Sequence, residues 1–167
     1  MDGKNTVLFS KKSDDWETPQ WLFDLLDQEF HFCTDAAATY GNCKKNRFFI
    51  DALNIRWEGV PGPFWLNPPY SQIAAFLKKV YEESQKGAVV VCLIPVRSDT
   101  HYWHDYVMKA QEIRFVKGRL KFGDATTGAP FPSCVVIFDK SMQYSLGIPI
   151  IPPMIGKTIE QIRKDKT

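Results

Sequence analysis

The sequence predicts an α/β protein with a mainly parallel sheet and an antiparallel hairpin at one edge. Three observations carry this. Phe64-Trp65-Leu66 is an apolar run that passes through Asn67-Pro68-Pro69-Tyr70 straight into a helical pattern, with Ile73, Phe76, Leu77, Val80 and Tyr81 on one face. Ala88 to Ile94 is short, unbroken and rich in valine, as a strand buried on both faces should be. Glu112 to Val116 and Ser133 to Phe138 also read as strands, and no helical pattern lies between them, which suits a hairpin. Elsewhere strands and helices alternate, the pattern of a parallel sheet covered by helices.

In chain order, residues 1–13 are polar and expected to be a flexible N-terminus. Asp15-Trp16-Glu17-Thr18-Pro19 opens a helix, with Thr18 as its N-cap and Pro19 at its first position. Trp21, Leu22, Leu25 and Leu26 give that helix an apolar face. Phe32 to Thr34 reads as a short strand ending at Asp35, before the small residues Ala36-Ala37-Ala38. Arg47 to Ile50 is a further candidate strand, with Asp51 at its end. Gly59 to Pro63 is a turn-rich lead into the strand before Asn67. Gly87 ends the long helix, Pro95 stops the buried strand, and Thr100 to Ala110 reads as helix. Beyond Asp139 the tail is Pro-rich and is expected to carry a short helix near Thr158 to Lys164. The main unit is therefore placed at 14–139 and the tail at 140–167.

Composition limits the function classes. The chain has 167 residues, enough for one domain with a full core, and 44% hydrophobic with 24% charged residues is ordinary for a globular protein. A net charge of +2 leaves any nucleic-acid contact to local patches. Cys33, Cys43, Cys92 and Cys134 show no paired spacing, and three of them lie in apolar runs, so buried reduced thiols are expected. No metal site is expected, because neither His31 with the first cysteines nor His101 with His104 has a ligand spacing. The longest apolar run is too short to cross a membrane, and a cytoplasmic protein is expected.

The Asn67 turn carries the chemistry. Each proline fixes its own φ, lacks an N–H and keeps the preceding residue out of the α region. Asn67 is therefore held extended, at the strand end where α/β sheets bind ligands. Its amide and the Pro68 carbonyl offer two acceptors beside the flat ring of Tyr70. That combination suits a planar group with an exocyclic amine, such as adenine read at N6. Acceptors that take both amino hydrogens free the nitrogen lone pair for attack on a methyl group, with no covalent nucleophile.

The tetrad is similar to motif IV of the amino-methyltransferases that use S-adenosyl-L-methionine. Further segments agree: Asp15-Trp16 with Thr18-Pro19, Asp35-Ala36-Ala37-Ala38, Pro95-Val96-Arg97-Ser98-Asp99-Thr100 with Trp103, Lys117 to Phe122, and Ala129 to Ser133. With these the chain resembles the small Dam-type DNA N6-adenine methyltransferases of phages and prophages, over roughly residues 14–139. The resemblance implies a Rossmann-like S-adenosylmethionine-dependent methyltransferase sheet, adenine N6 methylation of double-stranded DNA by base flipping, and action in a bacterial host cytoplasm.

It also implies roles. Trp16, Thr18 and Pro19 would form part of the cofactor pocket. Asp35 with Ala36 and Ala37 would hold the methionine end, where alanines stand in place of the usual glycines. Asp51 would contact the cofactor adenine. Asn67, Pro68, Pro69 and Tyr70 would hold the target base. Arg97 has two readings, DNA contact or a local ion pair with Asp99. Lys44, Lys45 and Arg47 suit a solvated face. Lys117, Arg119 and Lys121 suit a grip on phosphates. Phe131 would wall the base pocket or pack in the core. Sequence preference is expected to reside in residues 39–62, 117–132 or the tail. Rival acceptors are cytosine N4, an RNA adenine or a protein glutamine, and a more distant rival is a catalytically silent DNA-binding protein.

Overall fold

The computed structural model describes residues 16–142 and the backbone of Ile150 and Ile151. It is a mixed α/β structure. The elements are α1 (Gln20–Phe30), β1 (Thr34–Asp35), β2 (Phe64–Leu66), α2 (Ile73–Gln85), β3 (Val90–Pro95), α3 (His101–Asp105), β4 (Glu112–Val116), β5 (Ser133–Phe138) and β6 (Ile150–Ile151). The sheet order is β1-β2-β3-β5-β4-β6. β1, β2 and β3 run parallel, as expected. β5 lies between β3 and β4 and is antiparallel to both.

The expected hairpin is present: β4 and β5 pair antiparallel, and β5 joins the pair to the sheet by a six-residue register on β3 from Val90↔Phe138 to Pro95↔Ser133. It is not the outermost part of the sheet, because β6 lies beyond β4. The tail is also more than a tail, because Ile150 and Ile151 add a strand parallel to β4. The helix expected near Thr158 and the expected flexible N-terminus lie outside the described residues.

The apolar strands are continuous because they are buried on both sides. Val90, Cys92 and Ile94 of β3 join one core with Cys134, Val136 and Phe138 of β5. Val91 and Leu93 join the other with Val135 and Ile137. Alternate side chains leave a strand on opposite faces, so a strand with two covered faces has no polar position. On the first face lie α2, through Ile73, Phe76, Leu77 and Val80, and α3, through Trp103. On the second lie α1, through Leu22, Phe23 and Leu26, and the segment with Leu120, Phe122 and Ala129.

Two details of the helices differ from expectation. α1 begins one residue late, with Pro19 at the N-cap and no side-chain cap. The Pro19 carbonyl accepts from the N–H groups of Leu22 and Phe23. Thr18 caps nothing and is instead buried. Trp21 is 44% exposed, and Phe23 takes its place in the core. The stretch expected as one helix over 100–110 is α3 followed by a separate 3-10 turn, Val107–Lys109.

Ion pairs pin helices to the sheet. Arg114 on β4 donates to both carboxylate oxygens of Glu29 at the end of α1, at 2.6 and 2.7 Å, and to both of Glu112, at 2.8 and 2.9 Å. Burial alone would lower its pKa, but the bonds to Glu29 and Glu112 outweigh that and raise it. On α2, Glu83 is buried and takes Lys79 at 2.9 Å and Lys86 at 3.2 Å. Burial would raise its pKa, yet the two lysines bring it below the ordinary value. The four cysteines are free, and only Cys92 and Cys134 are buried. Cys33 is exposed because it precedes β1 rather than lying within it.

Candidate active site

The ends of β1 and β2 meet in one cleft. β2 stops at Leu66, and the two prolines carry the chain through Asn67 to a 3-10 turn at Tyr70–Gln72 that leads into α2. Beside it, the Ala36 N–H donates to the Trp65 carbonyl at 2.7 Å, which sets the Asp35 loop against the end of β2. The expected strand at Arg47 to Ile50 contracts to a single parallel bridge, Asp35↔Phe48. It still brings Asp51 to the cleft.

The cleft holds a cavity of about 290 Å³, lined by Trp16, Thr18, Asp35, Ala37, Asp51 and Asn67 among others. With Pro69, seven of the expected site residues thus meet in one place. Pro19, Ala36, Pro68 and Tyr70 are not part of the lining, whereas Pro69 is. Ala36 is instead a core residue, and Pro68 is buried behind Asn67.

Asp35 is 2% exposed. Its carboxylate accepts from the Lys44 N–H at 2.9 Å and from the Ala37 N–H at 3.3 Å. Burial raises its pKa above the usual value, against the pull of those two N–H groups and of the Lys44 charge. A buried carboxylate facing a cavity favours a ligand with a cationic end. Asp51 is exposed, and its carboxylate accepts from Asn54 Nδ2 at 2.9 and 3.1 Å.

Asn67 is oriented by its neighbour. Its Nδ2 donates to the Trp16 carbonyl, and because a carbonyl only accepts, this bond fixes which way the amide lies. Oδ1 is then left buried and without a hydrogen-bond partner among the described residues, in a residue that lines the cleft. An orphan acceptor of this kind costs about 1–3 kcal/mol. Nothing in the fold recovers that cost, so the acceptor suits a donor brought by a ligand.

An aromatic cluster stands next to the amide. The Trp16 and Tyr70 rings stack at 19°, with centroids 6.1 Å apart. Phe131 meets both edge-on, at 5.1 and 5.3 Å, and Phe122 meets Trp16 at 5.4 Å. Tyr70 has its hydroxyl buried, without a hydrogen-bond partner among the described residues. Burial, and after it the neighbouring Cys134 and Tyr102, push this phenol far above its ordinary value. Tyr70 therefore stays neutral and offers its ring rather than a proton.

The expected DNA contacts lie outside the cavity. Lys117, Arg119 and Lys121 are exposed and alternate with buried Val116, Leu120 and Phe122. None of the three has a carboxylate partner among the described residues. Their segment is tied to the site, since the Gly123 N–H donates to the Glu17 carbonyl at 2.9 Å. Arg97 is exposed and pairs loosely with Asp99 at 3.7 Å, the local pairing that sequence alone allowed.

Some contributors escaped the sequence, among them Phe122 and Lys44. Phe122 completes the aromatic cluster, and Lys44 lines the cavity. The basic run containing Lys44 does not form one face. Lys44 pairs with Glu17, Lys45 pairs with Asp27, and Arg47 is exposed.

The site is thus an acid-lined cavity beside an aromatic cluster, with one unpaired amide oxygen between them. The family model described as DNA N-6-adenine-methyltransferase (Dam) matches residues 5–148. The chain is 30% identical over 149 residues to the DNA N-6-adenine-methyltransferase of Haemophilus phage HP1, covering 81% of this chain and 85% of that one. It is 30% identical over 108 residues to the enzyme of the same name from Escherichia phage T1, covering 63% of this chain and 45% of that longer one. The chain belongs to the DNA N-6-adenine-methyltransferase (Dam) family.

Proposed function

We propose that this protein methylates adenine N6 in double-stranded DNA, with S-adenosylmethionine as the donor and the Asn67 turn as the centre of the chemistry. The mixed sheet, with its inner antiparallel strand, supports a Rossmann-like methyltransferase fold, and residues 14–139 supply the catalytic unit. The observation that carries the reading is the orphan Oδ1 of Asn67, on an amide fixed by the Trp16 carbonyl in a residue that lines the cleft.

The residues of the cavity fit the donor. Asp35 offers an anion to a cationic amino-acid end, and Trp16, Leu53 and Phe76 give apolar wall to a purine ring. When bound, S-adenosylmethionine supplies an electrophilic methyl group on sulfonium.

The chain's own residues do the rest. A stacked base cannot present N6 to this notch, so the adenine is flipped out of the helix. Tyr70 supplies a ring face for it, and Phe131 closes the notch at the edge. Asn67 Oδ1 accepts one N6 hydrogen and the Pro68 carbonyl the other, which frees the nitrogen lone pair. No basic side chain needs to deprotonate N6 first, since the proton leaves after methylation. Rate comes from orientation and from fixed dipoles. Outside the cleft, Lys117, Arg119 and Lys121 hold phosphates.

The test is nucleoside analysis of DNA from bacteria that express the protein. N6-methyladenine is expected, at a defined sequence context. N4-methylcytosine alone would reassign the acceptor, and unmodified DNA with bound protein would favour the silent binder.

A further inference from the structure

We infer that the Lys44 ammonium anchors the carboxylate of the bound cofactor, and that Glu17 holds this anchor until the cofactor arrives. The inference rests on the S-adenosylmethionine reading above. It deepens that reading by assigning the residue that recognises the amino-acid end.

Lys44 is enclosed in a way surface lysines are not. Its side chain is 9% exposed and lines the cavity. Nζ donates to Glu17 Oε1 and to Gln20 Oε1, both at 3.1 Å. An ammonium has three donors, so one remains for an acceptor inside the cavity. The backbone of the same residue serves the other half of the site, because its N–H holds Asp35 Oδ2 at 2.9 Å. One residue thus ties an anion and a cation to neighbouring points of one wall. The amino-acid end of the cofactor carries an ammonium and a carboxylate on a single carbon, and it is complementary to such a pair.

Glu17 is the weaker party to its ion pair. Its side chain is 51% exposed, against 9% for Lys44. Water solvates the exposed carboxylate well whether or not it is paired, so a carboxylate arriving inside the cavity displaces it readily. The segment is held independently of that pair, through the Trp16 carbonyl on Asn67 and the Glu17 carbonyl on Gly123.

The test compares two ligands by titration calorimetry on the full chain. S-adenosylmethionine carries the carboxylate, and decarboxylated S-adenosylmethionine lacks only that group. The wild type is expected to prefer the first by about tenfold or more, the weight of a charge-assisted contact. Lys44→Met keeps the stem and the backbone N–H. It should erase the preference by weakening only the carboxylated ligand. Glu17→Gln removes the competitor and should tighten that ligand severalfold, with the decarboxylated one unchanged.

Lys44→Met that keeps the preference, or weakens both ligands alike, overturns the inference. So does Glu17→Gln that fails to tighten, an arm that stands even if the lysine variant does not fold. A wild type that binds both ligands equally leaves the cofactor reading intact and removes this one. A wild type that binds neither removes both.

Discussion

Asn67 keeps one of its two polar atoms unsatisfied, and the fold holds it there. Asn67→Ala removes that acceptor. Single-turnover methylation of a DNA duplex should slow by about a hundredfold or more, while cofactor affinity survives. Asn67→Asp keeps an acceptor but sets a carboxylate oxygen against the Trp16 carbonyl, so its rate should fall between the two and Trp16 fluorescence should change. Tyr70→Phe deletes a buried hydroxyl that has no partner, so it should melt no lower than the wild type and retain activity, whereas Tyr70→Ala loses the stacking face. Asp35 gives a pH signature. Its folded pKa lies above the ordinary 3.8, so its share of stability is full below 3.8 and is lost as pH rises through the raised value. A cationic ligand needs the ionised form, so cofactor affinity should rise through that same window, and Asp35→Ala should erase the step. Thermal melts with and without S-adenosylmethionine across the acid range would show both trends. Asn67 was legible because its context is local: an apolar strand, two prolines and a ring in one run. Lys44 was not, because its partners Glu17 and Gln20 are distant in sequence and no periodicity links them.

The elements tell the same story at longer range. β4 and β5 were readable to the residue, because apolar, β-branched runs bounded by turns have few alternatives. The strand beyond them was not, because an isoleucine pair between Pro149 and Pro152 reads as turn as readily as strand. The failed Thr18 cap has a similar cause. A hydroxyl that suits an N-cap also suits a cavity wall, and here burial in the cleft prevailed. Arg114 is the clearest long-range element contact. Two glutamates, one of them 85 residues away, meet its guanidinium. Arg114→Met leaves Glu112 largely enclosed without its cation and cuts α1 loose from β4. After discounting for the exposed face of Glu29, urea unfolding should show a loss of about 2 kcal/mol. Activity per folded molecule should change little, since the pair is remote from the cleft.

For the whole molecule, a net charge of +2 gives little bulk attraction to DNA, so the grip must be local. The exposed cations at Lys117, Arg119 and Lys121 stand on the segment that also supplies Phe122 to the aromatic cluster. Neutralising any one of them should weaken DNA binding equally on all sequences and lower the salt slope by about 0.9. Filter binding across a salt series measures this, and an unchanged slope would return the residue to the solvated surface. Among the described residues no helix is long and apolar enough to cross a membrane.

The inner position of β5 has a consequence for how the chain is made. β3 is finished at Pro95, yet the strand that covers its second edge begins only at Ser133. As the polypeptide leaves the ribosome, Val90 to Ile94 must wait with a row of unpaired N–H and C=O groups beside fully apolar side chains. Such an edge is a template for pairing with another nascent chain. A product terminated before Ser133 would keep the whole Asn67 turn and still be unable to close its sheet. It should collect as aggregate rather than as a smaller enzyme.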